Sequence, residues 1–311
     1  MSSLLTNTSA MVALSTLRNI NNDLADTQNR ISTGMRVADA SDNAAYWSIA
    51  TTMNSDNEAL SAVQDALGLG AATVDVAFTA MDSAVDVVSE IKAKLVAATD
   101  DGADKNKIQS DIKALQEQLQ TIADSATFNG ENWLSQDIST TPADAVKSVT
   151  GGFTRNAAGA AALQNITIDT TSIALIDTGG TTGILNSDMA EVTGAANIAG
   201  ANMLDFDISG ITDSAADQTA LEALITAVDT KLGTMTDAAT ALGSAKSRID
   251  MQTEFVKNLS DAVDRGVGQL VDADMNAEST RLQALQTQQQ LGIQALSIAN
   301  SGSQNILSLF R

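Results

Sequence analysis

Residues 53–95 read MNSDNEALSAVQDALGLGAATVDVAFTAMDSAVDVVSEIKAKL, and within them Met53, Leu60, Leu67, Val74, Met81, Val88 and Leu95 recur at every seventh position. An apolar residue held to a seven-residue repeat keeps one seam of an α-helix turned toward a partner helix in a left-handed supercoil. The pattern sits in a proline-free run over residues 43–98, with Ser41 or Asp42 as the expected N-cap and Asp100-Asp101-Gly102 as the stop. At 1.5 Å per residue it predicts a helix about 80 Å long. The second seam position is small at Gly70, Ala77 and Ala84, so a partner backbone is expected close by.

Two further ladders complete the helical frame. Ile108, Ile112, Leu115, Leu119 and Ile122 are spaced 4-3-4-3 and run into Phe128-Asn129-Gly130, a turn signal. Leu221, Val228, Met235, Leu242, Ile249, Val256, Val263 and Leu270 again recur every seventh residue, over residues 214–270. Two segments of nearly equal length predict an antiparallel return. Near the start Leu14, Leu17, Ile20, Leu24 and Ile31 continue the spacing; near the end Leu282, Leu285, Leu291, Ile293, Leu296 and Ile298 spread around more than one face. These outer segments predict a second, smaller helical pair covered on several sides.

Residues 136–213 differ in texture. They hold the single proline, Pro142, and short alternating runs at residues 164–169 and 203–208 that predict strands. The expected fold is therefore mainly α: a long antiparallel helical bundle or coiled coil formed by the N- and C-terminal segments, with a small β-containing insertion. Its expected divisions are residues 1–40 with 271–311 as a terminal helical core, 41–135 with 214–270 as the long-helix bundle, and 136–213 as the insertion.

The 311 residues include no Cys and no His, only 3% aromatics, and 38 acidic against 17 basic side chains, a net charge of −21. Thiolate and Cys–metal chemistry is excluded, as are Ser-His-Asp triads and His metal clusters. Such an acidic chain does not present a broad footprint for nucleic acid or anionic lipid. The charge is unevenly placed. Residues 1–35 sum to zero and residues 268–311 to −1, which leaves −20 on residues 36–267; no charged residue occurs in 1–17 or in 282–310. Glutamines at 283, 286, 288, 289, 290 and 294 rule out a membrane span in the tail. No basic residue precedes the short apolar run at residues 10–14, so no cleaved export signal is expected. Charge-free, amide-rich ends suit a protein–protein interior, and ends that order only when surrounded by other copies are those of a polymerising subunit.

Asn29-Arg30-Ile31-Ser32-Thr33-Gly34-Met35-Arg36-Val37, followed by Ala40-Ser41-Asp42-Asn43-Ala44-Ala45, resembles the N-terminal signature of bacterial flagellins. The run from Asp272-Ala273-Asp274-Met275 to Gln304-Asn305-Ile306-Leu307-Ser308-Leu309-Phe310-Arg311 is similar to the flagellin C-terminus, and Phe128-Asn129-Gly130 matches the family's turn. The resemblance covers about residues 1–135 and 214–311 and rests on several motifs in the family's order. Its signature positions here are Arg30, Gly34, Arg36, Asp42, Asn43, Phe128, Asn129 and Gly130.

The resemblance implies a secreted structural subunit of the bacterial flagellum that polymerises into the swimming filament. Terminal helices would line an inner tube, the long helices the surrounding shell, and the insertion would face solvent. The polymerisation core would comprise Leu14, Leu17, Leu24, Ile31, Leu282, Leu285, Leu291, Ile293, Leu296, Ile298, Ile306, Leu307, Leu309 and Phe310. The implied partners are other copies of the chain, with or without sister flagellins, the flagellar type III export apparatus and an export chaperone, and the filament cap and hook-junction proteins. Neither nucleic acid nor membrane insertion is implied.

Two stretches depart from the family. The helix matching the animal flagellin-receptor site is typically Arg-rich, but here carries Ser89, Glu90, Lys92 and Lys94. Tyr46-Trp47 stands where Gly and an aliphatic residue are common, in the stretch read by the plant receptor.

Competing readings are weaker. Asp205 and Asp207, on one face of the strand expected at residues 203–208, read as a solvated acidic edge rather than a cation site. Residues 100–111 fail as a calcium loop because Lys105 sits where glycine is required. Asn7-Thr8-Ser9, Asn165-Ile166-Thr167 and Asn258-Leu259-Ser260 are bare glycosylation triplets. A carboxylate glycosidase lacks aromatics for sugar stacking, and a His-Glu-x-x-His peptidase is impossible without histidine. No enzyme, catalytic residue, cofactor or metal is expected. The alternatives to flagellin are a hook–filament junction protein, which shares the terminal helices, or a cytosolic coiled-coil scaffold.

Overall fold

The computed structural model describes residues 7–100, 102–139, 145–156, 159–189, 202–212 and 214–308, with 303–308 described by backbone alone. Five helices dominate these residues: α1 Thr8–Thr33, α2 Ala40–Ala97, α3 Lys105–Ser125, α4 Ala215–Val271 and α5 Met275–Ser308. Between α3 and α4 lie β1 Thr127–Phe128, β2 Glu131–Asn132, β3 Ser135–Gln136, β4 Val146–Arg155, β5 Ala161–Asp169 and β6 Ile176–Asp177. The helical class with a small strand-bearing middle is the one the ladders predict. The chain forms two compact units, Met1–Glu58 with Leu259–Arg311, and Ala59–Asn258.

In the second unit the seven-residue ladders are the core. Leu60, Leu67, Val74, Met81, Val88 and Leu95 of α2 are buried, as are Leu221, Val228, Met235, Leu242, Ile249 and Val256 of α4. Surface ion pairs cross between the helices in the same antiparallel register, Asp75 with Lys246 and Lys92 with Asp229. Lys94 reaches Asp111 of α3 at 2.8 Å, and that carboxylate raises the Lys94 pKa through its hydrogen bond and charge. The small seam residues are buried too, and Gly70 serves a partner other than a helix. A Cβ at Gly70 would collide with the Val149 side chain of β4. Beside it, Gln252 of α4 donates to the Gly151 carbonyl at 2.6 Å, so the β4–β5 hairpin rests on both long helices.

Helix α2 departs from the expected start. Neither Ser41 nor Asp42 caps the long run: Asn43 has extended backbone at φ −161° and ψ 99°, and its Oδ1 accepts from the N–H groups of Ala45 and Tyr46. The uninterrupted helix therefore begins at Ala44, because a short amide side chain reaches the orphan N–H groups of a first turn. Asp42 turns back instead, accepting from the N–H groups of Ala38 and Asp39.

The strand expected at residues 164–169 lies in β5, paired antiparallel with β4. The strand expected at residues 203–208 is absent. Residues 203–205 form a turn held by Asn202, whose Oδ1 accepts from Leu204 N–H and whose carbonyl accepts from Phe206 N–H. Met203, Phe206 and Ile208 are fully buried there, and Gln116 of α3 donates to the carbonyls of Met203 and Phe206. The apolar alternation thus records burial of a turn against a helix, and Asp205 and Asp207 do not share a strand face. Among the described residues no cluster of acidic groups is arranged to hold a metal ion.

The insertion has its own polar centre at Asp177. Its carboxylate accepts from Ile138 N–H, Gly179 N–H, and both the N–H and hydroxyl of Thr182. Burial alone would raise its pKa; these donors outweigh burial and pull it down to about 2.

Candidate functional site

The charge-poor ends meet in the first unit as an antiparallel pair, α1 against α5. Asn7 caps α1 by accepting from Ala10 N–H at 3.0 Å, and its amide donates across to the Ala299 carbonyl at 3.0 Å. The contacts then descend in register: Leu17 packs over Gly292, Gln289 donates to Asn21 at 2.7 Å, and Arg30 pairs with Glu278 at 3.2 Å. A Cβ at Gly292 would sit 3.0 Å from Leu17 Cδ1, so the leucine would have to give by a few tenths of an ångström. A glycine at this position lets the leucine pack closely over the helix backbone.

At the base of the pair α1 ends on Gly34 in the left-handed conformation, φ 72°. Its carbonyl accepts from Ala273 N–H at 2.9 Å, Arg36 N–H donates to the Val271 carbonyl at 2.6 Å, and Met35 bridges Asp272. The Arg36 guanidinium reaches the Leu270 carbonyl at 3.0 Å. Asp274 caps α5, accepting from the N–H groups of Asn276 and Ala277. The segment that resembled a family signature is therefore a joint tying two helix ends together. Phe128-Asn129-Gly130 is a joint of another kind. Asn129 at φ 50° and Gly130 at φ 84° are the two central residues of the β1–β2 hairpin, and positive φ at both matches the twist of its strands.

Two helices cannot hide all of what this pair carries. Leu17, Ile20, Leu24 and Ile31 are half-buried, as are Leu282 and Leu296, while Leu285 is buried. Leu14 is exposed, and so are Met11 at 64%, Val12 at 66%, Leu291 at 58%, Ile293 at 55% and Ile298 at 71%. Backbone at Ile306 and Leu307 continues α5, whereas Leu309 and Phe310 lie outside the described residues. Exposed large apolar side chains thus stand in two charge-free segments, at residues 11–14 and 291–298, and such exposure marks a protein contact. Among the described residues no helix is long and apolar enough to cross a membrane.

The stretch that the resemblance sets against the animal receptor site lies elsewhere, on α2. Ser89 and Glu90 are exposed there, and Lys92 and Lys94 are engaged by Asp229 and Asp111. In the sequence Asn7 reads as part of a glycosylation triplet; in the structure it is the cap of α1. The signal was available: an Asn immediately before a charge-free apolar period is a helix start.

Comparison with known proteins bears on what this surface meets. The profile of the bacterial flagellin N-terminal helical region matches residues 4–139, and that of the bacterial flagellin C-terminal helical region matches residues 225–310. The chain is 49% identical over 396 aligned residues to Flagellin A of Rhizobium meliloti (strain 1021), and 51% identical over 322 to Flagellin C of the same strain; each alignment covers 100% of both chains. A flagellin of Brucella melitensis is 45% identical over 312, again covering 100% of both. Among solved structures, Bacillus cereus flagellin is 19% identical with a TM-score of 0.38, covering 65% of this chain and 94% of that one. These relatives do not favour a hook-junction protein or a cytosolic scaffold. Helical ends that leave apolar faces uncovered are what a self-assembling chain needs, and with both profiles matched and full-length relatives at such identity, the chain belongs to the bacterial flagellins, a structural family of flagellar filament subunits and not of enzymes.

Proposed function

We propose that the outward apolar faces of the α1–α5 pair are the polymerisation core of this filament subunit. Leu14, Leu291, Ile293 and Ile298 take the contacts to neighbouring copies, and Leu17, Leu24, Ile31, Leu282, Leu285 and Leu296 hold the pair itself together. Ile306, Leu307, Leu309 and Phe310 extend the same apolar sequence. The supporting observation is that Leu14 is 38% exposed, and Leu291, Ile293 and Ile298 more than half exposed, in segments without charge. Polymerisation desolvates that surface, and the gain is roughly proportional to the apolar area removed from water.

Residues 1–40 with 271–311 then form the inner tube, 41–135 with 214–270 the shell, and 136–213 the outer face. The subunit is secreted through the type III apparatus with an export chaperone, and is placed beneath the cap protein above the hook-junction proteins. Glu90, together with lysines already paired to acids, makes the Ser89–Lys94 region a weak ligand for the animal receptor. Deleting residues 282–311 tests the core: filaments should be lost while circular dichroism retains the signal of α2 and α4. Normal polymerisation of the truncated chain would overturn the assignment. A reporter-cell assay at full potency would overturn the receptor reading.

A further inference from the structure

The chain has no cysteine, so its ten methionines are the side chains most open to two-electron oxidation. The fold divides them sharply. Met81, Met189, Met203 and Met235 are buried, with no more than 1% exposed, whereas Met11, Met35, Met251 and Met275 lie open, Met11 most of all at 64%. Met35 adjoins Arg36, Met251 adjoins Asp250 and Met275 adjoins Asp274. Of the four, Met11 alone stands in a charge-free segment, beside the exposed Val12 and Leu14. The other charge-free segment, residues 282–310, contains no methionine.

Oxidation changes what such a side chain can do in an apolar surface. A thioether is flexible and apolar and gives up its water at little cost, whereas the oxygen of a sulfoxide is a strong acceptor that must surrender hydrogen bonds to be buried. With hydrogen peroxide the Met11 sulfur gives an electron pair to one peroxide oxygen, and the S–O bond forms as the O–O bond breaks. The sulfur is oxidised, the peroxide is reduced, and its second oxygen takes the proton and leaves as water. One such event sets a polar group into the aliphatic run at residues 10–14.

We propose that Met11 is a peroxide-sensitive modification site that controls subunit addition: the thioether admits the chain to the filament and the sulfoxide opposes it. The inference rests on the α1–α5 faces being the polymerisation core. Assembly desolvates that core, so the sulfur is open to peroxide before addition and shielded after it. A methionine sulfoxide reductase reverses the step.

Full-length monomer and sedimented filaments are treated with dilute hydrogen peroxide, and sulfoxide at each methionine is followed by peptide mass spectrometry. In the monomer Met11 should oxidise about tenfold or more faster than the four buried methionines, and in filaments its own rate should fall by about tenfold or more. Oxidised monomer should leave a residual unpolymerised concentration about tenfold higher, because a desolvated acceptor goes without its partner. Reductase treatment should restore assembly. Met11→Leu, an exposed swap of similar volume, should keep its helix content and polymerise normally after peroxide. Oxidised Met11→Leu protein that assembles as poorly as oxidised wild type overturns the inference and leaves the filament role intact, as does Met11 that oxidises equally fast in filament and monomer. Untreated wild-type chain that yields no sedimentable filament overturns the polymerisation reading itself.

Discussion

Arg30 of α1 and Glu278 of α5 meet at 3.2 Å, with the arginine side chain about one-third exposed and the glutamate 12% exposed. Glu278 Oε2 is buried and has no hydrogen-bond partner among the described residues, so the carboxylate depends on one guanidinium. Arg30→Ala should loosen the helix pair by about 1–3 kcal/mol, because it leaves an enclosed carboxylate without its partner. Arg30→Ala combined with Glu278→Gln should recover part of that loss. Amide hydrogen exchange of α1 peptides in the assembled protein measures both, and equal protection in the single and double variants would refute the coupling.

Glycines in the long helices should respond with opposite signs. Gly70→Ala forces a methyl group into Val149 and should cost about 1–3 kcal/mol through overpacking. Gly233 has nothing within 4 Å of where a Cβ would stand, so Gly233→Ala should stabilise by about 0.5–1 kcal/mol. Thermal denaturation of the two variants should bracket the parent.

Asn43 is the working cap of α2, so Asn43→Ala should cost about 1 kcal/mol whereas Ser41→Ala should cost nothing resolvable. Helix content by circular dichroism against temperature separates them.

Asp177 makes the insertion sensitive to acid. Its pKa is about 2 when folded and 3.8 ordinarily, so the folded state favours the ionised form. That contribution is fully present above the ordinary value and is lost as pH falls through the folded one, a window from about 4 down to 2. Asp177→Asn should flatten this dependence and cost about 1–3 kcal/mol at neutral pH, since buried donors lose their acceptor. Emission of Trp133 in a Trp47→Phe background, followed from pH 7 to 2, reports the transition.

Much of the helical frame was legible because a seven-residue apolar repeat has one structural solution over many turns. The run read as residues 43–98 lies within Ala40–Ala97 to one residue at its end, and 214–270 differs from Ala215–Val271 by one at each end. Residues 203–208 misled because alternation over six residues reports alternate burial, which a turn pressed on α3 also produces; Asn202 was the discriminating residue. The Asp177 centre was illegible, since its donors come from residues 138 to 182 and share no period. For the assembly surface, sequence showed which segments avoid charge. It could not show which faces remain uncovered, because that depends on where α1 and α5 meet.

Lys92, Lys94 and Lys246 each pair at the surface with an acid on a neighbouring helix. The subunit keeps a net charge of −21 nonetheless, so stacking copies multiplies a surplus of carboxylates along one axis. Such a rod is a stiff polyelectrolyte. It gathers a cloud of small cations that thins to about 10 Å at 0.1 M salt. Two rods brought side by side must compress these clouds. The osmotic pressure of the confined ions would oppose that approach.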